Sequence, residues 1–474
     1  MSAPRPEQSF ESLAARHGPR YRWMVLAVVG LSVVSSLLAS TSFNVAVPSL
    51  MARFGLGQTD VQWTITGFMA AMTVAMLPTA WLLSAVGFRR LLLGAITVMA
   101  LAGIAGSFAP SFAMVVALRL VQGAAAGVLQ PLGTIAVMRL FPREQQGRAS
   151  GILGFSVVLA PALAPTFAGM VLDRRGWPAI FLMNIPFCVL TLVAGWFLLP
   201  AARPAERTRF DWVGLGVLAL ATLAIIEAVA NLQRHGLASP WTLGLFALAF
   251  AGWSGFARHA RRARHPIVSL HAFADRSFAM GTIVTFAYGF GLYASSYLIP
   301  VFLQHAAGYT ATAAGAALLP SGLALAVTIP LAGRLADSHS PRLVTIIGLA
   351  MFGLSFVYFG IFASRMGNPE VIGATVFGRV GLGLLLPAVS IATLHFLRTE
   401  TIPAASVVVG YLRQLGGVLG VAIVAVFVTW REDARQAGPH DLAAAYAEGF
   451  LLIAAMFVVA IAAASRMRSR ATFS

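Results

Sequence analysis

Three arginines, Arg119, Arg379 and Arg413, stand inside apolar stretches where charge is rare. A guanidinium in hydrocarbon is costly to desolvate and is a functional-site hypothesis by default. Arg119 shares its stretch with Gln122 and Gln130, which with backbone carbonyls are its candidate partners. Such a group can bind an anionic substrate or govern a proton site; the structural alternative is a long stem that snorkels to the nearer surface. Only one carboxylate lies well inside an apolar stretch, Glu227. A carboxyl group in apolar surroundings suits proton exchange, whereas an interfacial glutamate beside Asn231 and Arg234 is the plainer reading. His395 carries the imidazole that titrates near neutral pH, or else anchors an interface. Tyr288, Tyr293 and Tyr297, with Gln304, mark one stretch as a candidate amphipathic pocket, although an aromatic stripe at helical spacing also packs a core.

Two further groups concern motion. Gly333, Asp337 and Arg342 surround a short break between apolar stretches. A carboxylate at a helix end near arginines can latch two bodies in one state and release them in another; the alternative is a surface ion pair worth about 0–1 kcal/mol. Pro161, Ala164, Pro165, Ala168 and Gly169 form a run of small residues and prolines. Small residues let helices approach closely, and prolines are tolerated in a membrane helix where neighbours satisfy the freed backbone. These features suit either plain packing or a helix that bends during gating.

The elements carrying these residues are membrane helices. Hydrophobic residues make up 58% of the 474-residue chain and charged residues only 10%, against about 25% charged in soluble chains. A helix needs about 20 apolar residues to span the hydrocarbon. Fourteen stretches qualify, near 23–46, 62–86, 89–109, 112–138, 147–171, 179–199, 212–231, 241–258, 277–304, 311–335, 342–363, 370–396, 402–430 and 446–465. Loops are expected around Pro48, before Trp63, over Pro200 to Asp211 and over Arg431 to His440. No cleavable signal peptide is expected, because residues 1–22 are polar and the first apolar run is too long. The lone Cys188 excludes an internal disulfide.

The net charge of +17 would suit nucleic acid, but the arginines sit in short loops, so it reads as topology. With the N-terminus inside, 23 arginines fall in inner segments, 7 in outer loops and 3 within spans. That split predicts cytoplasmic termini and an even number of spans. The chain also repeats. Gly127 and Pro131 recur as Gly383 and Pro387 at a shift of 256, with Arg379 in the register of Gly123. Ala149, Ser150 and Gly154 recur at the same shift as Ala405, Ser406 and Gly410. Leu82, Ser84 and Arg89 recur as Leu335, Asp337 and Arg342 at a shift of 253. The expected organisation is an N-terminal tail (1–22), a six-helix half (23–199), a linker with two extra helices (200–265), a second six-helix half (266–465) and a C-terminal tail (466–474). Related halves around a midplane site are a transporter architecture.

The motifs, taken in order, carry a resemblance. They are Asn44-Val-Ala-Val-Pro48, Trp63, Arg119-Leu-Val-Gln122-Gly123, Phe141-Pro142-Arg143-Glu144, Ala164-Pro165-Thr-Phe-Ala168-Gly169, Phe181-Leu-Met-Asn184-Ile-Pro186 and Arg413-Gln414-Leu-Gly416-Gly417. The chain resembles the fourteen-helix drug:proton antiporters of the major facilitator superfamily, the EmrB/QacA type, from Asn44 to about Gly420. The resemblance implies an all-α polytopic membrane protein of the major facilitator fold, and a gating role for the 161–169 run. It implies proton-driven export by alternating access, across the inner membrane, of a small molecule. Related exporters hand substrate to a periplasmic adaptor and an outer-membrane channel; the short outer loops here neither require nor exclude that. The fold is complete as a monomer.

This chain departs from the family's acids. Ala39 stands where the first helix usually has aspartate, and Ser84 replaces the first-half latch aspartate. A cavity rich in arginine and poor in acid predicts amphipathic weak acids or neutral hydrophobic compounds rather than lipophilic cations. An uncoupled facilitator or lipid-handling transporter is the second reading. A non-transporting membrane sensor or assembly subunit is the third. No phosphate-binding glycine loop, metal cluster or hydrolase elbow is found, so no enzyme activity, cofactor, metal or nucleic-acid partner is expected.

Overall fold

The computed structural model describes residues 10–200, 210–264, 266–268, 270–435 and 439–468. After a short amphipathic helix α1 (Phe10–His17), the chain enters α2 (Tyr21–Phe54), α3 (Gln58–Val61), α4 (Trp63–Met76), α5 (Thr79–Val86), α6 (Phe88–Gly106), α7 (Phe112–Leu140), α8 (Gln146–Arg175) and α9 (Ile185–Leu198). It continues through α10 (Trp212–His235), α11 (Pro240–Arg262), α12 (Arg276–His305), α13 (Ala311–Ser338), α14 (Pro341–Phe362), α15 (Asn368–Leu394), α16 (Ile402–Arg435) and α17 (Pro439–Ala464). The long helices are apolar runs, several of which begin at a polar cap or end at glycine. Ser111, Asp211, Asp275 and Thr310 accept the backbone N–H three residues on, satisfying donors that a helix start leaves free. Gly55, Gly176 and Gly236 close helices at positive φ of 65°, 74° and 74°, a conformation that costs glycine little.

Among the described residues, eleven helices are long and apolar enough to cross a membrane, and α4 with α5, bent by 57°, makes a twelfth. The fourteen expected stretches each coincide with a helix, but the two at 147–171 and 241–258 fall in α8 and α11, outside that set of twelve. α8 opens on Gln146 and Arg148 and closes on Asp173, Arg174 and Arg175, and α11 ends on His259, Arg261 and Arg262.

Three loop expectations are corrected. Pro48 lies inside α2, because a proline costs a helix one hydrogen bond and need not end it. The segment before Trp63 contains the one-turn α3. Arg431 to Arg435 continue α16. The loop expected over Pro200 to Asp211 falls mostly on 201–209, and the C-terminal tail mostly on 469–474, outside the described residues.

Packing repeats as the sequence does. In the first half α2 packs on α8 and α9, α4 on α7, and α6 on α7 and α9. In the second, α12 packs on α16 and α17, α13 on α15, and α14 on α15 and α17. α10 and α11 pair with each other, and Thr222 of α10 shares a 2.7 Å hydrogen bond with Tyr411 of α16. The halves meet chiefly through α8 against α13 and α15, and α16 against α7. Tyr21 donates to the Leu198 carbonyl at 2.9 Å, and the Arg468 N–H donates to Ser277 at 2.9 Å. The start and end of each half therefore lie at one face, called here the terminal face.

Candidate functional site

Arg119 is fully buried. Its Nε donates to the Thr64 carbonyl of α4 at 3.0 Å, and Nη1 donates to the Ala39 carbonyl of α2 at 2.8 Å and to Gln122 Oε1 at 3.2 Å. The guanidinium lies between the rings of Phe43 and Phe68, 4.2 and 4.1 Å from their centroids. A planar, weakly hydrated cation suits that sandwich better than an ammonium would. α7 reaches α4 this closely because Gly123 has no side chain: a Cβ there would sit 2.3 Å from the Phe68 carbonyl oxygen. The missing helix-1 acid is thus answered by the backbone of Ala39. Nη2 has no hydrogen-bond partner among the described residues.

Gln130 lies eleven residues further along α7 on nearly the same face, about 16 Å away at 1.5 Å per residue. Its Oε1 accepts from Arg413 Nη2 of α16 at 3.3 Å, a contact across the two halves. Around them is a cavity of ≈ 50 Å³, lined by Val33, Gln130, Thr134, Val137, Ser150, Leu153, Gly154, Leu386, Ser390 and Arg413. Five helices contribute, and among the described residues the lining holds one cation and no carboxylate. Asn44 is exposed and lies three turns beyond Val33 on the same face of α2.

The second half adds a polar cluster beside Arg413. Tyr288 is buried, and both it and Tyr293 lie close enough to Arg413 to feel its charge; Tyr288 also feels Arg379. Tyr293 donates to Gln414 Oε1 at 3.4 Å, and Arg379 Nη2 donates to Ser296 at 3.5 Å. Gln414, Thr134, Ser150 and Ser390 were not singled out as pathway residues from sequence. Gln414 stands in the Arg413-Gln414 motif and Ser150 in the internal repeat, whereas Thr134 and Ser390 carry no signal, because hydroxyls inside apolar runs are common.

Other candidates lie elsewhere. Tyr297 is 38% exposed and faces Glu432 rather than the cavity. Glu227 is half-buried on α10 and makes no hydrogen bond or ion pair among the described residues. His395 is half-buried at the end of α15, edge-on to Phe396. Glu448 of α17 pairs with both Arg431 and Arg435 of α16. The helical continuation of α16 brings both arginines to it.

The terminal face is sealed between α8 and α13. Asp337 accepts the Gly147 N–H at 2.6 Å and the Arg148 N–H at 2.8 Å. One carboxylate therefore caps the start of a helix in the other half, where free N–H groups and the helix dipole favour negative charge. Gly147 and Gly333 permit the approach: a Cβ on either would lie 2.2 or 2.4 Å from the other's carbonyl oxygen. Arg342 turns away to the Ser465 carbonyl. Ser84, the first-half counterpart of Asp337, donates to Trp81 of its own helix at 2.7 Å. Ala164 and Ala168 of α8 are fully buried, Ala164 against Leu38. Gly169 has open space where a Cβ would go. Pro161 and Pro165 fall within α8, with side chains outside the described residues.

Comparison with known proteins agrees with this architecture. The Major Facilitator Superfamily profile matches residues 29–260 and 281–472. The Fatty acid resistance protein FarB of Neisseria gonorrhoeae is 30% identical over 424 residues, covering 88% of this chain and 82% of FarB. A Multidrug resistance protein B homolog of Mycobacterium tuberculosis is 26% identical over 420 residues, covering 86% and 77%. The human organic anion transporter MFSD10 (TETRAN) superposes with a TM-score of 0.66 at 16% identity, covering 92% of this chain and 99% of that one. The proton:xylose symporter XylE gives 0.65 at 13%, covering 93% and 95%. Those two likenesses concern the fold. The chain belongs to the Major Facilitator Superfamily: it is a multi-pass membrane transporter and not an enzyme.

Proposed function

We propose that this transporter is a proton-coupled exporter of amphipathic weak acids or neutral hydrophobic compounds, of the EmrB/QacA type. The observation that carries the reading is the cavity lining. Arg413 with Gln130, Thr134, Ser150 and Ser390 offers one cation and several hydrogen-bonding groups, with no carboxylate to attract a lipophilic cation. The resistance names of the relatives, fatty acid among them, point the same way. At ≈ 50 Å³ the cavity is far below the 300–1,000 Å³ usual for ligand sites. Substrate entry therefore requires the halves to separate, with the Asp337 seal as one gate.

In this reading α8 and α11 complete fourteen spans. At 30 and 23 residues they are about 45 and 35 Å long. Short connections through them alternate direction, and fourteen crossings return α17 to the face where α2 began. The arginine distribution makes that face cytoplasmic, in a cell (inner) membrane, with the protein working as a monomer.

The test is uptake into inverted vesicles containing only this protein, with and without an inward-acidic gradient. Gradient-driven accumulation of an amphipathic weak acid, absent in protein-free vesicles and lost in Arg413→Gln, supports the reading. Accumulation of a lipophilic cation instead refutes the substrate assignment. A second reading, an uncoupled facilitator, is favoured by Ala39 and Ser84; flux indifferent to the gradient would select it.

A further inference from the structure

At the terminal face, away from the central cavity, a separate hollow of ≈ 630 Å³ opens between the starts of α12 and α14 and the end of α17. Arg276, Arg342, Arg466 and Arg468 line it, with Phe396 and the buried Met467 as its apolar part. One carboxylate is adjacent, and it is already engaged: Asp275 accepts the Phe278 N–H at 2.9 Å and pairs with Arg468 at 3.3 Å. Arg342 is held by the Ser465 carbonyl. Arg276 and Arg466 have no side-chain hydrogen bond or ion pair among the described residues. Four cations against one anion leave a local excess of about three positive charges among the described residues.

We infer that this hollow binds the phosphate-bearing headgroup of an anionic phospholipid. Three observations choose a lipid over a free ion. The hollow lies where helices long and apolar enough to span a membrane end. It has the volume of a ligand site. Its wall includes Phe396, 37% exposed, which suits the glycerol and upper acyl region. Basic pockets between membrane helices are suited to such headgroups, and a guanidinium pairs with phosphate in a two-pronged geometry. A bound headgroup would tie together three helix ends of the second half, one of which, α14, follows directly from the Asp337 helix.

The experiment uses the full-length protein in a neutral detergent. Thermal stability and native mass spectrometry are read against added phosphatidylglycerol, cardiolipin, phosphatidylcholine and inorganic phosphate. The expected result is saturable binding and stabilisation by the two anionic lipids, weakened by salt, and none by phosphatidylcholine or inorganic phosphate. Arg276→Gln with Arg466→Gln removes the two unengaged cations, leaves the internal contacts intact and should weaken binding at least tenfold. Arg258→Gln with Arg262→Gln, at the end of α11, controls for general charge and should change it less than twofold. Equal binding of phosphatidylcholine, equal stabilisation by inorganic phosphate, or unchanged affinity in the Arg276/Arg466 variant overturns the proposal.

Discussion

Asp337→Asn is the most informative single perturbation of the seal between the halves. Its two carboxylate oxygens receive N–H groups at 2.6 and 2.8 Å from the start of α8. A hydrogen bond to a charged group is worth about 1.5–3 kcal/mol net, and charge at a helix start adds about 0.3–1 kcal/mol. Asparagine keeps one acceptor, turns an NH2 toward the other N–H and loses the charge. The expected loss is about 2–3 kcal/mol of closed-state stability, which raises the open fraction about 30- to 150-fold. The assay places a reporter, Ser390→Cys, in the cavity lining of a Cys188→Ser background, since Cys188 is the chain's only cysteine. A membrane-impermeant maleimide is added at the terminal face. While the open state is rare, the labelling rate tracks its fraction, so Asp337→Asn should accelerate labelling by more than tenfold. A rate within twofold of the parent, in protein that is inserted and folded, would refute the latch.

Arg119→Lys should lower the melting midpoint in detergent more than Arg119→Met, because an ammonium loses the two-ring sandwich and most of its bonds yet remains a buried charge, a situation costing about 3–5 kcal/mol; the reverse order would mean a hydrated site. Glu227→Gln should abolish gradient-driven accumulation while leaving exchange intact, measured in the vesicle assay; retained accumulation would remove Glu227 from the proton path. Asp211 sits outside the spans, where burial would raise its pKa, but N–H groups of Gly214 and Ile267 and the His259 ring together hold it below the usual carboxylate range. Its stabilisation is then complete above about pH 4 and lost as pH falls through the lowered value. Asp211→Ala should cost about 0.5–2 kcal/mol at neutral pH, as a lost helix cap does, and the melting midpoints of variant and parent should converge in acid.

Much of the scaffold was legible because a spanning helix announces itself as a long apolar run, and the repeat of Gly127 and Pro131 as Gly383 and Pro387 disclosed paired halves. Pro48 misled because proline ends helices in water more often than in a packed membrane bundle. The site was only partly legible. Arg119, Gln122, Gln130 and Arg413 stood out as polar groups in apolar runs, but what each touches is set by tertiary packing. Arg413 meets Gln130 across 283 residues, and Arg119 meets Ala39 across 80. Glu448 of α17 is likewise met by two arginines of the neighbouring α16, which no periodicity within α17 reveals.

The repeat also explains why the seal is one-sided. A shift of 256 carries Gly147 of α8 onto Pro403 of α16, and a shift of 253 carries Asp337 onto Ser84. The first-half site has therefore lost its acceptor and one of the donors, since proline has no N–H. The same shifts put Ala80 and Val407 where the tight contact has Gly333 and Gly151. α5 and α16 still touch, but at positions that carry side chains where α8 and α13 have glycine. Ser84→Asp alone should consequently leave the labelling rate of the Ser390→Cys reporter within about twofold, because a carboxylate there finds at most the Ala404 N–H. Ser84→Asp with Pro403→Gly, in an Ala80→Gly and Val407→Gly background that restores the space, supplies acceptor and donor and should slow labelling by roughly tenfold, the effect of one added charged hydrogen bond of about 1.5 kcal/mol. If Ser84→Asp alone slowed labelling as much as the combined variant, the missing N–H would not be what limits this side, and the asymmetry would lie in the carboxylate alone.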